Sequence, residues 1–267
     1  MNTNKPTFKM MPLLLGTLPS QDNNIYAETE IVSLQYLTDA EAIPALLPKC
    51  FEPGNKPSVT VVFQDSKGVD YLAGNGYRLL MIAVSAKFTG EKHHLEGNFV
   101  LVLFENAAIP IVLGRERLGL PKIYADITPL RILEDGHLRC EASLWGHLLL
   151  GLDLAPPFKK QNLLVRKAAG EMMSRQPGLG YKHIPPTTMD APPDVDYPTA
   201  IYSDYKFDQL WLGKAGSVYI GDPTAEDIGY FRPIIDAFQT IPVREVTMVS
   251  RSRGSMVIRN DKCHRLL

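Results

Sequence analysis

Hydrophobic positions along this 267-residue chain fall mostly into short runs rich in Val, Ile and Leu, bounded by Gly, Pro, Asn or Asp. Runs of that kind predict strands. They cover residues 30–37, 58–63, 79–87, 98–104, 125–130, 138–145, 217–220 and 243–250. Glu134-Asp135-Gly136-His137 lies just before one of these runs and reads as a hairpin turn, since Asp-Gly accommodates the positive φ of a tight reversal. Helical signals are fewer. Thr38-Asp39-Ala40-Glu41 carries capping residues ahead of an apolar stretch that Pro48 ends, which predicts a short helix. Residues 162–175 have a loose apolar face and stop at Gln176-Pro177-Gly178. Residues 224–238 predict a third helix, interrupted at Pro233. Prolines crowd residues 184–198, so that stretch is expected to be an ordered loop or an edge segment. The pattern as a whole predicts a mainly β protein: an antiparallel, barrel-like core with a few flanking helices. It predicts one domain over 1–267, with residues 1–25 as an N-terminal arm packing on the body.

Charge narrows the function classes. The 28 basic and 29 acidic side chains leave a net charge of −1, and no long basic run offers a footprint for nucleic acid or an anionic membrane. The partner expected is a small molecule. Three cysteines without C-x-x-C spacing suggest neither a disulfide framework nor a zinc site, which fits a reducing cytoplasm. The apolar start Met10–Leu15 carries a proline and is far too short to span a membrane. His93-His94, beside Glu91 and Glu96, reads as a solvated polar cluster with no second set of metal ligands. Serine-hydrolase elbow, Walker loop and dinucleotide fingerprint are all absent.

Chemistry concentrates in residues 114–124, GRERLGLPKIY. One amine, Lys122, stands among Leu118, Leu120, Pro121 and Ile123. An unperturbed lysine of pKa ~10.4 is about one part in 2,500 free amine at pH 7, and only the free amine attacks a carbonyl. Apolar neighbours and a nearby cation, Arg115 or Arg117, are the two available means of lowering that pKa.

Gly114-Arg115-Glu116, Gly119, Pro121 and Lys122 resemble, in type and spacing, the segment in which acetoacetate decarboxylases carry their Schiff-base lysine. The resemblance extends to Tyr36–Pro53, to Gly76–Met81, to Asp135-Gly136 and to Ile241–Val246, so it covers most of the chain. It implies a β-barrel-like core with flanking helices, a homo-oligomer, and Lys122 as the catalytic nucleophile. That mechanism belongs to the family and is carried over by the resemblance. No organic cofactor or metal is implied, because a protonated imine is itself the electron sink. Two positions depart from the family: Ile123 stands where a second lysine follows the first, and Leu79 stands where a strand carries a glutamate. Gln64 and Glu105 are then the candidates to replace the lost acid, each equally suited to a structural role.

Candidate substrate-binding residues are Arg115, Glu116, Tyr77 and Gln64. Arginine suits bidentate recognition of a carboxylate, and Glu116 suits positioning of Lys122; both also suit an ion pair that fixes the turn. Tyr77 and Tyr124 are potential hydrogen-bond donors or packing residues. The leading expectation is a carbon-carbon lyase that decarboxylates a β-oxo acid through a lysine imine. An aldolase or dehydratase acting on pyruvate-like 2-oxo acids is the alternative within the same chemistry. A non-catalytic small-molecule-binding scaffold is the alternative outside it, and an unbroken apolar pocket with Lys122 exposed and paired to carboxylates would favour it.

Overall fold

The computed structural model describes residues 7–11, 17–19 and 23–267. The rest of the expected N-terminal arm, including most of Met10–Leu15, lies outside the described residues. Strands drawn from nearly the full length of the described chain form one large sheet of twelve strands. From one edge its order is Lys159–Lys160, Ser203–Gly213, Glu245–Ile258, Asn24–Leu37, Ser58–Val69, Tyr77–Thr89, His94–Glu105, Gly178–Ile184, Val195–Ile201 and His264–Arg265. Phe51–Pro53 pairs with Tyr77–Thr89, and Lys122–Tyr124 pairs with His94–Glu105. A second sheet of five strands is built from residues 126–155 and Ala215–Ile220.

Alternation explains why the middle of the large sheet reads as an almost unbroken apolar run. Along Tyr77–Thr89, Leu80, Ile82, Val84, Ala86 and Phe88 face the main core, shared with Leu150, Leu152 and Leu154 of the smaller sheet. Tyr77, Leu79 and Ala83 face the opposite way, into a second cluster with Tyr26, Val69, Val100 and Leu103. Successive side chains of a strand point to opposite faces, so a strand covered on both sides must be apolar at nearly every position.

Several expectations need correcting. Among the described residues the large sheet is open, not closed into a barrel, and it is not wholly antiparallel: His94–Glu105 runs parallel to both Gly178–Ile184 and Lys122–Tyr124. The helix expected after Thr38 is two 3-10 turns, Ala40–Ala42 and Pro44–Leu46, because Pro44 has no amide to continue an α-helical ladder. The third helix breaks at Gly229, whose φ is +60°, and Pro233 sits in the first turn of the next helix, Arg232–Gln239, where a missing N–H costs nothing. Leu163–Arg175 forms as expected, with the Asn162 side chain accepting from Val165 N. The hairpin at Gly136 also forms, with φ +84°.

Candidate active site

The segment between Glu105 and Lys122 folds back so that its end lies beside its beginning. The Ala108–Leu113 helix follows the strand, a wider π-type turn spans Gly114–Leu118, and Gly119 ends it at φ +72°. A side chain on Gly119 would also meet the Lys182 backbone at 2.8 Å. The turn is tied to neighbouring strands: Thr199 Oγ1 donates to Leu118 O at 2.7 Å and Tyr181 N donates to Gly119 O at 3.1 Å. Lys122–Tyr124 then pairs in parallel with the tail of the preceding strand, placing Lys122 opposite Leu103.

Lys122 is 6% exposed. Its Nζ donates to Glu105 Oε1 at 2.7 Å, and Glu105 is fully buried. The other carboxylate oxygen, Oε2, is buried without a hydrogen-bond partner among the described residues. Burial pushes the Glu105 carboxyl above the usual carboxylate range, and the Lys122 ammonium draws it back only in part. Gly114 makes room for the amine: a Cβ there would lie 2.3 Å from Lys122 Cδ and Cε. This close approach accounts for the first glycine of the motif.

A cavity of about 350 Å³ opens beside Lys122. Its walls are mainly apolar and come largely from the 108–118 segment, with Tyr26, Tyr71, Arg117, Asn24 and Asn260 adding polar groups. Tyr26 Oη lies 3.1 Å from Tyr71 Oη and 3.2 Å from Tyr77 Oη. Burial raises all three phenols, and the negative charge of Glu105 adds to the effect, which places the carboxylate and the hydroxyl chain in one neighbourhood. Burial also lowers the Arg117 guanidinium.

The sequence candidates are distributed unevenly around this centre. Lys122 lines the cavity; Arg115, Glu116, Tyr77 and Gln64 do not. Arg115 is exposed and its guanidinium donates to the Lys122 carbonyl at 3.0 Å, so it braces the lysine strand and does not reach the cavity. Glu116 is half-buried on the same turn. Tyr77 stands behind Tyr26, and Gln64 donates to Ser66 Oγ within the sheet. Tyr124 is half exposed and bonds Asp126. Of the other polar lining residues, Arg117 belongs to the same contiguous motif and is one of the cations the sequence offers beside Lys122, whereas Tyr26 and Tyr71 come from segments that only the fold brings together. The sequence offers Glu105 only as an alternative acid, beside Gln64. Cross-strand register now explains its position: Gln64 pairs with Leu79, and Leu79 with Glu105. The three stand in one row on neighbouring strands, so a carboxylate lies one strand away from Leu79.

Among the described residues, no group of three or more His, Cys, Asp or Glu side chains could hold a metal, and no helix is long and apolar enough to cross a membrane. His93 lies against His264, with ring centroids 5.0 Å apart.

Similar folds are found among solved structures. One described as structural studies of acetoacetate decarboxylase superposes with a TM-score of 0.73 at 16% identity, covering 96% of this chain and 93% of that one. The acetoacetate decarboxylase of Legionella pneumophila superposes at 0.71 with 19% identity, over 96% and 92% of the two chains. The enduracididine biosynthesis enzyme MppR, complexed with pyruvate, superposes at 0.68 with 16% identity, over 94% and 92%. At these identities the likeness concerns the fold. A search of curated protein sequences finds no match. The sequence model of one family does match, over residues 11–262. With that match spanning nearly the whole chain, on a mostly β fold shared with solved members, this protein belongs to the acetoacetate decarboxylase family.

Proposed function

We propose that this protein is a lyase that binds a small oxo acid as an imine on Lys122 and releases carbon dioxide from a β-oxo acid. The observation that carries the proposal is the buried Lys122–Glu105 pair, 2.7 Å apart, at the wall of a mainly apolar cavity. An idle scaffold would show Lys122 both exposed and paired to carboxylates; the pairing with Glu105 is present, but Lys122 is buried, which supports the imine reading.

The pair supplies the steps in sequence. Glu105 takes a proton from the ammonium, and the freed amine adds to the ketone carbon. Glu105, now a neutral acid, returns the proton to the carbinolamine oxygen, which leaves as water and gives the protonated imine. The electron pair of the breaking C–C bond moves to the imine nitrogen as carbon dioxide departs. A proton then adds to the enamine carbon, and water hydrolyses the imine to release a ketone and restore Lys122. Apolar walls favour the loss of carbon dioxide, since the substrate carboxylate loses its hydration on entering while the departing product carries no charge. The raised Glu105 pKa suits a group that must hold a proton for part of the cycle.

One observation favours aldol chemistry on a pyruvate-like acid: with Leu79 on the neighbouring strand, Glu105 stands without a second carboxylate opposite it. Both readings share the imine and divide at the product. Borohydride reduction with acetoacetate, with pyruvate and with pyruvate plus an aldehyde is expected to leave a stable mass adduct on Lys122, lost in Lys122→Ala. Headspace carbon dioxide identifies decarboxylation, and a condensed product identifies the aldol reaction. Folded protein that yields no adduct across a broad oxo-acid panel would refute the imine.

A further inference from the structure

The cavity beside Lys122 is larger than a small oxo acid needs. Its volume of about 350 Å³ falls within the range of sites that enclose drug-sized ligands. Acetoacetate, with seven heavy atoms, fills at most roughly 200 Å³, even if each atom is allowed the share of about 30 Å³ that a water molecule has in the liquid.

The surplus space has a direction. Lys122, Tyr26 and Leu118 are 6%, 1% and 8% exposed and form the floor. Ile109, Val112 and Met11 are 57%, 40% and 72% exposed and form the rim. Leu113 and Pro110 belong to the same helix as Ile109 and Val112 and continue the apolar wall. The path from the amine to solvent is therefore lined on one side by a single helix that presents apolar side chains. A single apolar residue at a surface is ordinary. Three at the rim of one cavity leave a hydrophobic surface that a ligand would remove from water.

We propose that the substrate is an oxo acid with an extended apolar chain or aryl group on its carbonyl carbon. The ketone sits at Lys122 and the tail runs along the Ala108–Leu113 helix to the rim. This inference rests on the imine reading and adds to it the class of substrate. The tail supplies binding energy remote from the reacting bond, and that energy can offset the cost of desolvating the carboxylate.

Adduct formation on Lys122, measured by borohydride trapping against a series of 3-oxo acids of increasing chain length, tests both readings separately. The half-saturating concentration is expected to fall about fourfold for each added methylene, the value of burying one CH₂, until the tail clears the rim. Ile109→Asp, at an exposed position in the first turn of the helix, is expected to flatten that gain. Equal half-saturation at every length overturns the apolar tail and leaves the imine standing. If no acid forms an adduct, the imine reading fails. The tail is then judged on straight-chain alkanoic acids, which have no ketone, titrated by calorimetry, and affinity independent of chain length would overturn it too.

Discussion

Lys122 and Glu105 each make the other's burial tolerable. An isolated ionised group in a protein interior costs several kcal/mol, and the 2.7 Å contact offsets part of that for both side chains. Lys122→Met removes the cation that draws the Glu105 carboxyl down, so its pKa in the folded state is expected to rise further. Loss of one partner from a buried pair costs about 3–5 kcal/mol where the remaining group stays charged. The sign of the pH dependence follows. A carboxyl with a folded pKa above its unfolded value binds more protons in the folded state, so its penalty is full above the folded pKa and vanishes as pH falls below the unfolded one. The stability gap between wild type and Lys122→Met should therefore be large at pH 8 and shrink towards pH 5, measured by urea denaturation at each pH. A gap that is constant across that range would mean Glu105 is not the charge left behind. At this scale the sequence was partly legible. Lys122 could be picked out because its motif is contiguous. Glu105 could be nominated but not chosen over Gln64, because the choice depends on the register of three strands. Arg115 was drawn towards the substrate by its chemistry, whereas the turn directs its guanidinium to a backbone carbonyl.

The element that presents the amine is the 114–118 turn together with the short strand that follows it. Its geometry depends on a glycine whose role is lack of volume, not an unusual φ. Gly114→Ala would drive a methyl into the Lys122 methylenes, 2.3 Å away, and overpacking of this kind costs about 1–3 kcal/mol. The amine must move to relieve it. Imine trapping is therefore expected to fall at least tenfold, since small displacements of a reacting group are costly. Gly136→Ala is the control: its φ of +84° imposes strain, but the nearest atom to a new Cβ is 3.5 Å away and the turn belongs to the smaller sheet and does not line the cavity, so stability should drop with trapping intact. Equal loss of trapping in both variants would remove the special role of Gly114. Elements with clear boundaries were legible: Leu163–Arg175 has a loose apolar face but starts at a capping asparagine and stops before Pro177, and most of the central strands are apolar runs between turn residues. Ala108–Leu113 and the turn after it were not legible, because six helical residues ending in a π-type turn leave too short a pattern to read. Ser203–Gly213 escaped for another reason. It is a long strand with polar and charged residues scattered through it, held extended by pairing with Glu245–Ile258 along most of its length and with Lys159–Lys160 near its end.

At the scale of the molecule, the two sheets share one interior. Val32, Leu34, Val61, Phe63 and Ile82 from the large sheet and Leu138, Leu150, Leu152 and Leu154 from the smaller one belong to a single buried cluster. The large sheet itself joins distant parts of the chain, since Asn24–Leu37 lies between Ser58–Val69 and Glu245–Ile258. Neither sheet can leave the other without exposing that interior to water, at about 25 cal/mol for each Å² of apolar surface. We therefore expect a single cooperative unfolding transition, as for one domain. The two tryptophans allow a direct test, because one reports on each sheet. Trp145 lies in the turn between Leu138–Leu144 and His147–Ala155 of the smaller sheet, and Trp211 lies on Ser203–Gly213 of the large one. Trp145→Phe leaves a probe of the large sheet only, and Trp211→Phe a probe of the smaller sheet only. Fluorescence anisotropy in urea, compared for each variant with its own circular dichroism, should give coincident midpoints in both. A probe in the smaller sheet that loosens well before the circular dichroism signal would mean that the five strands open independently. Lys122 would then keep its setting while that sheet unfolds, because the strands on either side of its carboxylate partner, and the turn that carries it, all belong to the large sheet or its connections.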